Sequence, residues 1–309
     1  MIGGGLIALF VGAHALIKGA AALARRWGMT PLVVGLTVVA GGTSSPELFV
    51  VTGAALAGRD GISLGNVLGA NSLNIGLILG LTALVRPLQA HLQLIRFDVP
   101  IMILATLVVA AFLTDGGVDR LEGAVLLASL LGYLAFTVYM AGRERSERVR
   151  EEFAAEVPGP LDSLAAELGL IGFGLAALAL GAQGLIAGAV RIAAAAGVSD
   201  SVIGITVVAA GTTLPELITC LVAVVRRESD IAVGNLVGSN IFNLLGVLGL
   251  AAALAPIGTA GMQLTELWGA VALAALSLPV MWRGLIVSRA EGALLVAAYL
   301  VYLTLVWRG

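Results

Sequence analysis

Ten apolar runs, each about long enough to cross a lipid bilayer, constrain this 309-residue chain more than any other feature. They lie near 2–23, 30–57, 61–85, 97–114, 121–141, 164–190, 201–225, 231–254, 265–282 and 285–307. A crossing helix needs about 20 mostly apolar residues. Backbone in hydrocarbon must satisfy its own hydrogen bonds, so runs of this kind fold as helices. Composition agrees: 59% of residues are hydrophobic and 12% charged, against about 45–50% apolar, glycine included, and about 25% charged in soluble domains. These proportions exclude an ordinary soluble enzyme and a disordered chain. With 17 basic and 19 acidic residues there is no polybasic surface for nucleic acid. The single cysteine, Cys220, excludes an intrachain disulfide framework and a multi-cysteine zinc site. The first run starts at Met1 without a basic leader or small-residue cleavage site, so it reads as a span rather than a signal peptide. The expected fold is an all-α polytopic membrane protein of ten transmembrane helices.

Basic residues set the orientation. Alternating the sides places twelve arginines together and leaves Arg59, Arg120, Arg191 and Arg308 opposite, with Lys18 towards the richer side. The richer side is expected to be cytoplasmic, which puts both termini outside. The polar stretch 142–163 reads as a cytoplasmic linker between two halves, 1–141 and 164–309.

Those halves repeat. Residues 35–48, GLTVVAGGTSSPEL, match 204–217, GITVVAAGTTLPEL, at ten of fourteen positions. The same offset of 169 aligns GNVLGANSLNIGLILG (65–80) with GNLVGSNIFNLLGVLG (234–249), so the two motif regions are 35–80 and 204–249. It also pairs Gly12 with Gly181, Gly19 with Gly188, Gly28 with Gly197 and Pro87 with Pro256, and maps the last two spans of each half by length only. Five spans per half is an odd number, so the second copy enters the membrane from the other side. Such inverted repeats are a common plan of secondary transporters, with the substrate site at the midplane between repeats.

The chemistry sits in the repeated motifs. Glu47 and Glu216 are the acidic residues placed at mid-span depth, at equivalent positions, with no Lys or Arg at matching depth. Carboxylates there are costly and commonly functional or paired, so a bound cation, or protons, is the expected partner. Each follows a proline, Pro46 or Pro215, which removes a donor and frees a carbonyl. Thr43, Ser44, Thr212 and Thr213 add hydroxyls, and Asn71, Asn74, Asn240 and Asn243 add amides, each asparagine pair three residues apart and able to share a helix face. An all-oxygen set with two carboxylates suits Ca²⁺ over Mg²⁺, while hydroxyls and neutral carbonyls suit Na⁺. A formal −2 balanced by one Ca²⁺ or by two protons gives a physical basis for exchange.

These paired motifs resemble the α-repeats of the cation/Ca²⁺ exchanger superfamily, most closely its Na⁺/Ca²⁺ branch and prokaryotic relatives. The residues that carry the resemblance are GTSSPE (42–47), GTTLPE (211–216), GNVLGANSLN (65–74) and GNLVGSNIFN (234–243). The resemblance implies an alternating-access antiporter exchanging Ca²⁺ for Na⁺. In it Glu47 and Glu216 coordinate Ca²⁺ with Thr43 and Thr212. Ser44, Thr213 and Ser239 contribute to Na⁺ sites along with the two glutamates, closed by the Ala40 and Ala209 carbonyls. Asn74 and Asn243 line the central position, with Asn71, Asn240 and Ala70 beside them. It further implies that the first and sixth spans slide over the core, a surface that Gly12, Gly19, Gly181 and Gly188 would suit. Two positions depart from the pattern. Ala70 stands where many relatives have serine, removing a hydroxyl from one Na⁺ site. Asn243 stands where K⁺-dependent members carry aspartate, which argues against K⁺ dependence.

A H⁺/Ca²⁺ antiporter using the same two glutamates is the alternative, disfavoured by GT-x-x-PE motifs rather than the G-N-A-x-E form of that branch. An intramembrane hydrolase is a remote alternative that lacks a Ser/His or Asp pair, so the chain is not expected to be an enzyme. No cofactor, nucleic acid or obligatory protein partner is expected beyond lipid and inorganic cations. The expected location is a prokaryotic inner (cell) membrane. His14 aligns with Gln183 and reads as a packing polar group; Cys220 reads as a small buried apolar residue.

Overall fold

The computed structural model describes residues 2–143, 163–195, 209–260 and 262–308. The described chain is built of helices joined by short connections, with four two-residue strands. Its helices are α1 (Ile2–Trp27), α2 (Pro31–Thr43), α3 (Ser45–Leu56), α4 (Asp60–Val85), α5 (Leu94–Thr114), α6 (Arg120–Arg143), α7 (Leu164–Ala195), α8 (Ala209–Thr212), α9 (Leu214–Val225), α10 (Ser229–Leu254), α11 (Leu264–Trp282) and α12 (Arg289–Arg308). Eight of them are long and apolar enough to cross a membrane. A ninth candidate is the broken span α2–α3, bent by 46°. Of the seventh apolar run, α8 and the twelve-residue α9 are described; 201–208 and most of the 142–163 linker lie outside the described residues.

Two compact units emerge, and each draws on both halves of the sequence. One takes Met1–Thr43 and Tyr133–Asn235, the other Ser44–Gly132 and Leu236–Gly309.

The first unit is organised by α1 and α7, which run antiparallel along a glycine seam. A Cβ on Gly5 would lie 2.8 Å from the Gly181 carbonyl, one on Gly12 2.8 Å from the Gly174 carbonyl, and one on Gly19 2.9 Å from the Glu167 carbonyl. Spacing of seven residues on both helices keeps these positions on one stripe, and removing the side chains lets backbone meet backbone. Of the glycines singled out for a sliding surface, Gly12, Gly19 and Gly181 line this contact between α1 and α7. At one end of the seam Arg26 Nε donates to Glu167 Oε2 at 2.7 Å, with the Glu167 side chain wholly buried. His14, on α1, has its Nδ1 3.3 Å from the Phe10 carbonyl one turn back.

The second unit carries the repeat into space. Strand β1 (Leu88–Gln89) pairs with β4 (Ile286–Val287), and β2 (Gly117–Val118) with β3 (Ile257–Gly258), both antiparallel. Adding the sequence offset to β1 gives β3, and adding it to β2 gives β4, so the two ladders are images of each other. Contacts repeat in the same way. Gly80 of α4 meets Gly292 and Val296 of α12, while Gly249 of α10 meets Gly123 and Leu127 of α6. The repeat thus reaches the last two spans of each half, and in residues as well as length: RLEGA (120–124) and RAEGA (289–293) agree at four of five positions at the same offset, which corrects the expectation that these spans match by length only.

Candidate functional site

Both acidic motifs start a helix. Glu47 lies in the first turn of α3 behind Pro46, and Glu216 in the first turn of α9 behind Pro215. Proline fits the opening turn of a helix because its missing N–H would have had no partner there. The backbone N–H groups of such a first turn favour a carboxylate. Each glutamate is about 1% exposed, as are Ser44 and Thr213; Thr43 and Thr212 are buried too. Ala40 is buried in α2, and Ala209 opens α8.

Within the first unit, α7 lies against both breaks. The space above Gly42 is filled by the Leu175 side chain and that above Gly211 by Ile186. Close approach of α2 to the start of α10 depends on Gly35 and Gly234, whose Cβ atoms would fall 2.9 Å from the Ile231 carbonyl and 2.7 Å from the Leu32 carbonyl. That approach brings Asn235 to Thr43, with the threonine hydroxyl 3.0 Å from Asn235 Oδ1 and 3.1 Å from the Val39 carbonyl. Asn235 in turn donates from Nδ2 to Cys220 Sγ at 3.4 Å, and the Cys220 thiol lies 3.6 Å from its acceptor, the Ala232 carbonyl. Cys220 is fully buried, as expected, yet it acts as a hydrogen-bonding group rather than an apolar filler. Asn235 was not singled out in the sequence, although it belongs to the repeated G-N dipeptide.

Within the second unit, α4 and α10 exchange asparagines reciprocally. Asn71 Nδ2 donates to the Asn240 carbonyl at 3.2 Å, and Asn240 Nδ2 to the Asn71 carbonyl at 3.5 Å and Met102 Sδ at 3.4 Å. Asn74 Nδ2 donates to Asn240 Oδ1 and Asn243 Nδ2 to Asn71 Oδ1, both at 3.0 Å. Residue i meeting j while their equivalents meet in reverse is the pattern of a local twofold. Each helix widens to a π turn here, Leu73–Ile78 and Phe242–Val247, with Leu79 N–H bonding the Asn74 carbonyl and Leu248 N–H that of Asn243. π turns are frequent at functional sites. Ser239 is fully buried, and Ala70 is buried at the equivalent place on α4.

A sequence model of the family described as "Sodium/calcium exchanger protein" matches residues 1–139 and 166–308. The chain belongs to the sodium/calcium exchanger family. It is 40% identical over 253 residues to the putative antiporter CaxA of Alkalimonas amylolytica, covering 82% of this chain and 79% of that one. It is 28% identical over 300 residues to the sodium/calcium exchanger MaX1 of Methanosarcina acetivorans, covering 83% of each. Among solved structures it is similar to the sodium-calcium exchanger NCX_Mj, with a TM-score of 0.85, 30% identity, and coverage of 98% of this chain and 96% of that one. This exchanger is therefore an integral multi-pass membrane protein and a cation antiporter, not an enzyme.

Proposed function

We propose that this exchanger moves Ca²⁺ against Na⁺ by alternating access, and that Glu47 and Glu216 bind the Ca²⁺ together. The observation that carries the reading is one of equivalence. Two carboxylates, 169 residues apart, each begin a helix behind a proline and are each about 1% exposed. Thr43 and Thr212 assist at Ca²⁺. Ser44, Thr213 and Ser239, with the Ala40 and Ala209 carbonyls, serve Na⁺, and Asn74 and Asn243 line the central position. Na⁺ coupling is supported by the hydroxyl-rich motifs and by the names of relatives.

Ten spans in two inverted halves, 1–141 and 164–309 about a cytoplasmic 142–163 linker, remain the proposed topology. Both termini lie outside a prokaryotic inner membrane in this reading. The reciprocal contacts in the second unit support the inversion, since a twofold in the membrane plane relates such halves. The arginine asymmetry supports the orientation.

The test is ⁴⁵Ca²⁺ uptake into proteoliposomes. Glu47→Gln and Glu216→Gln each replace a charged ligand by a neutral one of the same shape. Both are expected to abolish uptake without changing the protein's elution as a folded species. Near-normal uptake by either variant rejects the shared-carboxylate site.

A further inference from the structure

The central position needs oxygen atoms, yet an asparagine presents oxygen on one side of its carboxamide and two N–H donors on the other. The two ends are nearly the same size, so packing alone does not choose between them. A donor turned towards a cation repels it. Something must set the polarity of Asn74 and Asn243, and the second unit contains the device.

Asn71 and Asn240 each give an amide N–H to the other's main-chain carbonyl. A carbonyl only accepts, so the direction of these two side chains is fixed and their Oδ1 atoms point the other way. Those oxygens receive Asn243 Nδ2 and Asn74 Nδ2. With their donors engaged, Asn74 and Asn243 are left with Oδ1 atoms that are buried and have no hydrogen-bond partner among the described residues. Burying an unmade acceptor is unfavourable, and here two of them hold equivalent places in the repeats, where a cation would satisfy both. Asn74 is fully buried and Asn243 about 1% exposed.

We propose that Asn71 and Asn240 are positioning residues, a reciprocal amide clasp that turns the Asn74 and Asn243 oxygens towards a hard cation. This rests on the central-position reading above and deepens it. Control crosses between the repeats: Asn240 orients Asn74, and Asn71 orients Asn243.

The experiment measures the Na⁺ dependence of ⁴⁵Ca²⁺ exchange in proteoliposomes for Asn240→Leu, Asn240→Asp, Asn71→Leu, Asn74→Leu and the double variants Asn74→Leu/Asn240→Leu and Asn71→Leu/Asn74→Leu. Leucine matches asparagine in shape but offers no acceptor; aspartate keeps the acceptor for Asn74 Nδ2. Asn240→Leu is expected to raise the half-saturating Na⁺ concentration about tenfold, the loss of one net hydrogen bond's worth of orientation. Asn240→Asp is expected to weaken Na⁺ less than leucine does. A merely structural role predicts the reverse order, because a carboxylate suits a buried helix interface worse than leucine. In the Asn74→Leu background, Asn240→Leu is expected to add nothing, whereas Asn71→Leu adds its full effect, since the amide that it orients is still present. Full additivity of Asn240→Leu with Asn74→Leu overturns the clasp. If Asn240→Leu does not fold, Asn240→Ala removes the same acceptor in less volume and must show the same shift. If Asn74→Leu itself leaves Na⁺ dependence unchanged, the central-position reading fails. If it shifts the dependence and Asn240→Leu does not, the clasp alone fails.

Discussion

Gly12→Ala adds one methyl group where α1 and α7 touch through their backbones. The new Cβ would lie 2.8 Å from the Gly174 carbonyl, 2.8 Å from Leu178 N and 3.0 Å from the Ala177 Cβ. Two of those three are main-chain atoms, which do not swing aside as a side-chain end would. Ordinary contact begins at roughly 3.5 Å, so the helices must separate locally by about 0.7 Å, a gap that forfeits between a quarter and a half of the dispersion energy of the atoms concerned. The seam from Gly5 to Gly19 is about 21 Å long at 1.5 Å per residue, and separation at its centre is felt along it. Overpacking of this kind costs about 1–3 kcal/mol. Against this, alanine recovers up to about 1 kcal/mol of helix propensity. The control is Gly172→Ala on α7, exposed and with nothing within 4 Å of the added Cβ; there only the propensity gain operates. The two variants therefore differ in sign. Heating detergent-solubilised protein and following the monodisperse fraction is expected to show Gly12→Ala melting below the parent and Gly172→Ala at or above it. The double variant Gly12→Ala/Gly174→Ala is expected to lose less than the sum of its parts, because the first methyl already opens the seam. If Gly12→Ala is as heat-resistant as Gly172→Ala, the seam is not held by backbone contact and the reasoning fails.

The Arg26–Glu167 pair closes one end of that seam. Arg26→Met takes the guanidinium from a wholly buried carboxylate, whereas Glu167→Gln leaves a neutral acceptor in place. In the same heating assay Arg26→Met is expected to melt lower, and the opposite order refutes the staple. At Ala70, serine restores the hydroxyl present at Ser239 on the equivalent helix. Ala70→Ser is expected to lower the half-saturating Na⁺ concentration severalfold in exchange assays, and an unchanged Na⁺ dependence counts against a Na⁺ site on that side.

Much of the molecule was legible in the chain because membrane helices announce themselves by length. The span boundaries follow the apolar runs closely, as at Leu94–Thr114 and Arg289–Arg308. The break at Ser44 was legible from Pro46, and the helix starts at Glu47 and Glu216 from the same local rule. The strands were not, since two-residue ladders such as Leu88–Gln89 with Ile286–Val287 arise from loops brought together by tertiary packing and carry no periodic signal. The π turns at Asn74 and Asn243 were equally hidden, being adjustments of hydrogen bonding within an unbroken apolar helix. Three-residue spacing placed Asn71 beside Asn74, but which amide donates to which needs the partner helix. The seam was half readable: seven-residue spacing joins Gly5, Gly12 and Glu167, Gly174, Gly181 in the sequence, while their facing partner is a matter of packing. Glu167 and Asp98 are buried carboxyls near span ends, a depth at which sequence alone does not separate solvated from enclosed groups.

The central claim is that Na⁺, exchanged against Ca²⁺ on one oxygen-lined site, drives transport. The direct measurement is ⁴⁵Ca²⁺ uptake by proteoliposomes under an imposed Na⁺ gradient with pH clamped, and under an imposed pH gradient without Na⁺. Uptake that rises with internal Na⁺ and vanishes when the Na⁺ gradient is collapsed is the predicted result. Uptake that follows the pH gradient and ignores Na⁺ would contradict it and assign the same glutamates to proton exchange.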